Sequence, residues 1–286
     1  MRFHYQNPVV RFSQKRKIVK RALYILIVIL ATAAACDKND NFVVFSVEND
    51  VQLGAQVKAE IEKDPSMKIL SPSQYPEVYD FLYHIRDGIL NSGQVAYKEE
   101  FAWEVHVIDD DSTLNAFATP GGYIYVYTGL IKYLDHADDL AGVMGHEMAH
   151  ADLRHSVRNL QKQYGVSALL SIALGRDPGA LAQIAAQVAG QLAGLKFSRE
   201  YETEADEHSV DYLSKTEYAC NGAAFFFIKL NAAEQGGRPP EFLSTHPNPE
   251  NRIANINTKA QNIGCDTSLA SDTGYDEVKA LLGLRR

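Results

Sequence analysis

The sequence predicts an α+β domain, mainly helical, with one small β-sheet. Apolar residues recur at helical spacing over most of residues 51–286, and three short runs near the middle carry strand-like patterns bounded by turn residues. A composition of 46% hydrophobic and 22% charged residues is that of a globular chain. It excludes a disordered segment, a collagen-like repeat and a polytopic membrane protein. At 286 residues the chain is long enough to bury a large core.

Residues 51–68 mix polar and apolar positions as a helix does. Residues 77–90 set Val78, Phe81, Leu82, Ile85 and Ile89 near one helical face. Trp103 to Ile108 alternates with the period of a strand. Asn115 to Thr119 and Tyr123 to Tyr127 are two more short strands, separated by the turn Pro120-Gly121-Gly122. Residues 128–133 and 137–155 are predicted helical, and the chain beyond them is mostly helix. Between Gln163 and Leu195 the chain is rich in Ala, Gly, Gln and Leu. Gln183, Gln187 and Gln191 interrupt its apolar runs, and Arg176-Asp177-Pro178-Gly179 supplies a polar turn. This predicts a soluble helical hairpin closing over the candidate site rather than a membrane-seeking one. No repeat or Pro/Gly linker divides residues 41–286, so they read as one domain.

The net charge of −8 hides an asymmetry. Seven of the 28 basic residues and none of the 36 acidic ones lie in residues 1–35, leaving 21 basic against 36 acidic residues in the remainder. So acidic a body disfavours binding to nucleic acid. Lys15 to Arg21 is a basic run, and residues 22–35 form an uncharged stretch of 14, short of the roughly 20 that cross a bilayer as a helix. A basic start, an apolar middle and small residues before a break form the layout of a secretory signal. Ala33-Ala34-Ala35-Cys36 resembles a bacterial lipobox, which implies lipidation of Cys36. The expected organisation is a lipoprotein signal at 1–35, a tether at 36–50 and the domain at 51–286. That implies a membrane-anchored protein of a Gram-negative-type cell envelope, facing the periplasm or exposed at the surface. In such an oxidising compartment Cys220 and Cys265 are expected to form a disulfide.

The chemistry concentrates in two segments. Gly145 to His150 contains His-Glu-x-x-His. On a helix His146 and His150 lie one turn apart on one face, so both imidazoles can reach one zinc ion. Glu147 can hold a water beside the metal without ligating it. A catalytic zinc needs a third protein ligand. Glu200, Glu202, Glu204, Asp206, Glu207 and His208 are all candidates, and spacing does not choose among them.

Four patterns together resemble the gluzincin family that holds the HtpX-like and CAAX prenyl protease-like endopeptidases. They are Asn115-Ala116-Phe117, His146-Glu147-Met148-Ala149-His150, the run from Ser198 to Asp206, and Thr245-His246-Pro247 with Arg252. The resemblance implies a zincin-type fold, one Zn2+ per chain and Glu202 as third ligand with Asp206 as its partner. An i, i+4 spacing on one helical face agrees with that pairing: one carboxylate ligates while the other accepts the spare N–H of a ligating histidine. Glu204, about 200° round the helix from Glu202, is not expected to share that role. The resemblance also implies that His246 approaches the metal, either to hydrogen-bond an oxyanion or to fill the open position in a resting state. Arg252 is expected to brace that loop through Asp206 or Glu202. Asn115, Ala116 and Phe117 are expected either to pair with an extended peptide or to pack a buried strand. His4, His84, His106, His136, His155 and His208 carry no partner motif, and His155 and His208 read as solvated helix residues.

The expected activity is zinc-dependent hydrolysis of peptide bonds, with Glu147 as general base and protein or peptide substrates. By resemblance those substrates are misfolded or unassembled envelope proteins. The alternative is a non-hydrolytic zinc lipoprotein that binds unfolded envelope proteins or assists their assembly.

Overall fold

The computed structural model describes residues 38–39, 42–177, 179–192, 196–234, 241–247, 251–271 and 274–284. Residues 1–44 and 45–286 form two units, and every named helix and strand belongs to the second. The signal segment and Cys36 lie outside the described residues.

Helix α1 (Val47–Ile61) opens on a reciprocal cap, in which the Ser46 hydroxyl accepts from Asn49 N–H and the Asn49 side chain accepts from Ser46 N–H. The helix therefore starts four residues before the predicted position, inside the segment read as tether. Asp50, Leu53, Gly54, Val57 and Ile61 form its buried stripe. Helix α2 (Pro76–Asn91) has Pro at its first turn, where the missing N–H costs nothing, and buries Val78, Tyr79, Leu82, Ile85 and Ile89.

Strands β1 (Glu104–Ile108), β2 (Ala116–Thr119) and β3 (Tyr123–Tyr127) form a mixed sheet in the order β1-β3-β2. β1 runs parallel to β3 and β2 antiparallel to it. Gly121 and Gly122, at φ +76° and +83°, make the β2–β3 turn. Central strand β3 is buried at all five positions.

Helices α3 (Thr128–Tyr133) and α4 (Ala137–Asp152) come next. The sequence suggests that α4 is amphipathic, yet all 16 of its residues are buried. Its three aspartates reach backbone donors instead of water. Asp138 accepts from Ala219 N–H and Ala270 N–H, Asp139 from His136 N–H, and Asp152 from Ala96 N–H and Tyr97 N–H. Helices α5 (His155–Tyr164), α6 (Val166–Ala173), α7 (Ala180–Gly190), α8 (Arg199–Leu213), α9 (Gly222–Glu234), α10 (Phe242–Thr245), α11 (Arg252–Ile263) and α12 (Tyr275–Gly283) complete the unit. The predicted hairpin is α6 and α7, and α7 packs on α1 through Ile184, Ala185 and Val188.

Central helix α4 is gripped at two close approaches. A Cβ on Gly142 would lie 2.0 Å from Ala223 N, and one on Gly222 would lie 2.1 Å from Asp138 O, so α4 and α9 meet backbone to backbone. Gly145 faces Ser209 of α8, whose Cβ would sit 3.5 Å from an added methyl group. That contact brings the carboxylates of α8 to the histidines of α4.

Cys220 and Cys265 are joined as a disulfide, with Cα atoms 6.2 Å apart, tying the start of α9 to the end of α11 across 45 residues. Closing a loop of that length stabilises by about 4 kcal/mol in the chain-entropy model. Cys265→Ser is therefore expected to lower the melting temperature under oxidising conditions. Reductant should bring the wild type down to the variant, and calorimetry with and without dithiothreitol reads both.

Candidate metal centre

His146, Glu147 and His150 project from the last half of α4, and Glu202 and Asp206 from the buried face of α8. His246 comes just after the short turn α10, and Arg252 opens α11. The turn is held against the sheet, because Phe242 N–H donates to Leu114 O just before β2.

One donor atom each from His146, His150, Glu202 and His246 lies within 4.8 Å of the other three, and all four residues are buried. His146 Nε2 is 3.0 Å from His150 Nε2, 3.4 Å from Glu202 Oε2 and 3.4 Å from His246 Nδ1. Glu202 Oε1 is 3.6 Å from His150 Nε2 and 3.1 Å from His246 Nδ1. Four donors at the bond lengths zinc takes from imidazole and carboxylate, at tetrahedral angles, would be about 3.3 Å apart. The set fits that ion in spacing and in chemistry.

Its surroundings fix the donors. His146 Nδ1 lies 2.9 Å from Asp206 Oδ1, an arrangement that keeps the proton on Nδ1 and leaves Nε2 to the centre. Arg252 binds Glu202 and Asp206 of α8 together: Nη2 is 2.8 Å from Asp206 Oδ1 and 2.9 Å from Glu202 Oε2, and Nε is 2.5 Å from Asp206 Oδ2. Phe197 stacks on His150 with centroids 4.0 Å apart, and Phe242 on His246 at 4.2 Å.

Electrostatics separates the carboxyl groups. Burial pushes Asp206 up, but the Arg252 guanidinium and the hydrogen bond from His146 bring it below its ordinary value. Burial also pushes Glu202 up, and His246 and His146 outweigh it, holding Glu202 well below the carboxylate range. Glu147 moves the other way, raised by burial. It is 0% exposed, and neither of its oxygens has a hydrogen-bond partner, although His246 Nε2 stands 3.5 Å from Oε1. A buried carboxylate with no partner suits a group whose partner arrives with the substrate.

The sequence-predicted residues thus fall into groups. His146, Glu147, His150, Glu202, Asp206, His246 and Arg252 converge. Asn115, Ala116 and Phe117 lie on or beside β2, which has no strand partner on its outer side among the described residues. Phe117 itself packs inward, stacked on Tyr125 at 4.7 Å. Cys220 and Cys265 lie outside the donor set.

His155 requires correction. It is 0% exposed, not solvated; its Nδ1 is 2.8 Å from His150 Nδ1 and its Nε2 is 2.9 Å from Glu204 Oε2. Burial drives its pKa down to about 4. Glu204, set aside by its angle on α8, reaches the site through His155 and also accepts from Arg158. Five residues separate His150 from His155, about 140° apart on a continuous helix. The helix is not continuous, because Arg154 takes the left-handed conformation at φ 57° and folds His155 back. Arg154 is held there by Asp50, whose oxygens accept from Nε and Nη2 at 2.7 and 3.1 Å. No propensity rule assigns an arginine to that conformation, and the His150–His155 spacing argues against the pair on a regular helix, so the sequence carried no signal for it.

Two histidines and a glutamate from two packed helices, around a buried glutamate, define a gluzincin-type metal centre. Comparison with known proteins agrees: the model of Peptidase family M48 matches residues 85–260, and the chain belongs to that family of metal-dependent peptidases. It is 35% identical over 216 residues to the mitochondrial metalloendopeptidase OMA1 of Schizosaccharomyces pombe, covering 73% of this chain and 62% of the relative. It is 32% identical over 161 residues to a putative beta-barrel assembly-enhancing protease of Vibrio cholerae, covering 53% and 33%. It is 30% identical over 188 residues to the beta-barrel assembly-enhancing protease of Escherichia coli, covering 62% and 38%. The chain thus matches between a third and just under two thirds of the length of these relatives.

Proposed function

We propose that this protein is a zinc-dependent endopeptidase, holding one Zn2+ per chain, that hydrolyses peptide bonds in misfolded or unassembled proteins of the cell envelope. The observation that carries this reading is the set of four buried donors that meet within 4.8 Å of one another beside a buried Glu147 whose oxygens have no hydrogen-bond partner. Zinc, when bound, supplies Lewis-acid polarisation of the scissile carbonyl and makes water acidic near neutral pH. His146, His150 and Glu202 would hold it. Glu147, made more basic by burial, takes the proton of the attacking water and delivers it to the leaving amine. Asp206 and Arg252 keep His146 and Glu202 in register. His246 Nδ1 stands at the fourth corner of the donor set, which supports the resting role, and displacement of its ring would free that corner for substrate. The outer edge of β2, at Asn115, Ala116 and Phe117, would pair with the peptide main chain.

The envelope substrate class rests on the lipobox-like Cys36 and on the relatives named as beta-barrel assembly-enhancing proteases. Among the described residues no helix is long and apolar enough to cross a membrane; in this reading the membrane attachment is a lipid on Cys36. The chain would be divided into a signal at 1–35, a tether from 36 and the peptidase domain beyond it. In bacterial cells, Cys36→Ser is expected to abolish incorporation of a labelled fatty acid; undiminished labelling would remove the anchor from the scheme.

A second reading has one observation in its favour. Four protein donors close a zinc site, as in structural sites, whereas catalytic sites keep a position open. A protein that binds unfolded envelope proteins without cleaving them would fit a permanently closed centre. Purified protein incubated with reduced, denatured casein separates the two. We expect fragments, lost on chelation and restored by stoichiometric zinc. Stoichiometric zinc with no fragments, in wild type and in His246→Ala alike, would favour the binding role.

A further inference from the structure

The two histidines from α4 are oriented by different devices. His146 has a carboxylate directly on Nδ1, from Asp206 at 2.9 Å. His150 has a second imidazole there, His155, and the carboxylate of Glu204 stands behind it. The chain Glu204–His155–His150 runs from the partly exposed surface of α8 to the donor set.

Proton counting fixes the state of every link. Two Nδ1 atoms face each other at 2.8 Å, so one proton lies between them. If His150 ligates through Nε2, that atom carries no proton, and the neutral ring must carry it on Nδ1. His155 Nδ1 then accepts. A neutral His155 that accepts at Nδ1 carries its own proton on Nε2 and donates it to Glu204 Oε2 at 2.9 Å. The opposite arrangement puts the His155 proton on Nδ1. It would place a bare Nε2 against a carboxylate and move the His150 proton onto the atom that must ligate. Glu204 therefore selects the tautomer of His155, and His155 selects that of His150.

The surroundings hold the links in place. His155 stacks on Tyr201 with centroids 4.4 Å apart and planes 6° apart. Arg158 Nη1 holds Glu204 Oε2 at 2.7 Å, and the left-handed Arg154 sets where His155 begins α5. The interposed ring also has an electrostatic consequence. The centre already holds Glu147, Glu202 and Asp206 against one Arg252. A fourth carboxylate in direct contact would add another buried negative charge, whereas a neutral imidazole passes on the orienting hydrogen bond and leaves the charge at the surface.

We propose that His155 and Glu204 are positioning residues, forming a carboxylate–imidazole relay that fixes the tautomer and orientation of His150 for metal binding. The proposal rests on the metal-centre reading, but it concerns metal binding and not cleavage. A protein that binds zinc through this relay and cleaves nothing would overturn the endopeptidase reading alone.

Zinc affinity of the full chain, measured by competition with a chromophoric chelator, is the first readout. His155→Phe keeps a ring but offers no acceptor, and affinity should fall about 10- to 100-fold. His155→Gln restores an acceptor toward His150 and a donor toward Glu204, and should recover most of the loss. A merely space-filling role would give the reverse order, with phenylalanine tolerated better than glutamine. The visible spectrum of the cobalt-loaded protein should change in His155→Phe and return toward wild type in His155→Gln. Should either variant fail to fold, zinc-loaded wild type labelled with 15N in histidine alone supplies the test. We expect His150 protonated on Nδ1 and His155 on Nε2. His155 protonated on Nδ1, or wild-type zinc affinity in folded His155→Phe, would overturn the relay.

Discussion

Glu147→Gln is expected to lower the rate of peptide cleavage by about 10²- to 10⁴-fold, the range a positioned general base contributes. Metal content should stay at the wild-type level, because Glu147 is outside the set of four donors that meet within 4.8 Å. Stability should not fall. Burial raises the Glu147 pKa, so the folded protein holds that proton more tightly than the unfolded chain does. The group therefore favours folding at pH values below the ordinary 4.5, and that contribution is lost as pH rises toward its folded value. Above its folded pKa the buried carboxylate is a cost borne for function, and the neutral amide lifts it. Cleavage kinetics on a denatured protein, metal analysis and a thermal melt make three readings on one sample. A variant that cleaves within twofold of wild type would remove Glu147 from the mechanism.

Local spacing made half of this centre legible. His146, Glu147 and His150 fall within five residues of one helix, where geometry comes from periodicity alone. Glu202 and Asp206 are an i, i+4 pair, but six acidic or imidazole groups crowd that stretch and only the family resemblance chose between them. His246 and Arg252 lie 100 or more residues from His146 in sequence, and no local rule brings them to it. The larger miss was His155. A periodic helix would have carried it 140° from His150. The turn that folds it back depends on Arg154 being clamped by Asp50 from an element 104 residues earlier. Total burial of α4 was hidden for a related reason. Asp138, Asp139 and Asp152 look like a solvent-facing stripe until the loops that donate to them are known. The three strands were legible from their patterns, whereas the parallel pairing of β1 with β3 is a tertiary choice.

Arg252→Ala is expected to destabilise the protein by about 3–5 kcal/mol, the loss seen when one partner of a buried ion pair is removed. For a domain of this size that corresponds to a melting temperature lower by about 6–20 °C. Arg252 is 2% exposed, and its guanidinium meets Asp206 on two atoms and Glu202 on one. It also lies 3.9 Å from the centre of the Phe227 ring. Removing it leaves two buried carboxylates without their cation, and zinc can compensate only Glu202. Excess zinc should therefore narrow the deficit by mass action without closing it, because Asp206 keeps its hydrogen bond from His146 but stays without its guanidinium. Arg252→Lys keeps the charge but loses the planar two-point grip, and should fall between wild type and alanine. The double variant Arg252→Met with Asp206→Leu separates stability from chemistry. Replacing a buried ion pair with apolar side chains is often neutral or stabilising, so much of the lost melting temperature should return. Zinc affinity should not return with it, because His146 has then lost the acceptor on Nδ1. If affinity recovers together with stability, Asp206 and Arg252 serve only to hold α8 and α11 together. If stability recovers alone, they tune the metal centre through His146, which is the outcome the 2.9 Å contact between Asp206 and His146 leads us to expect.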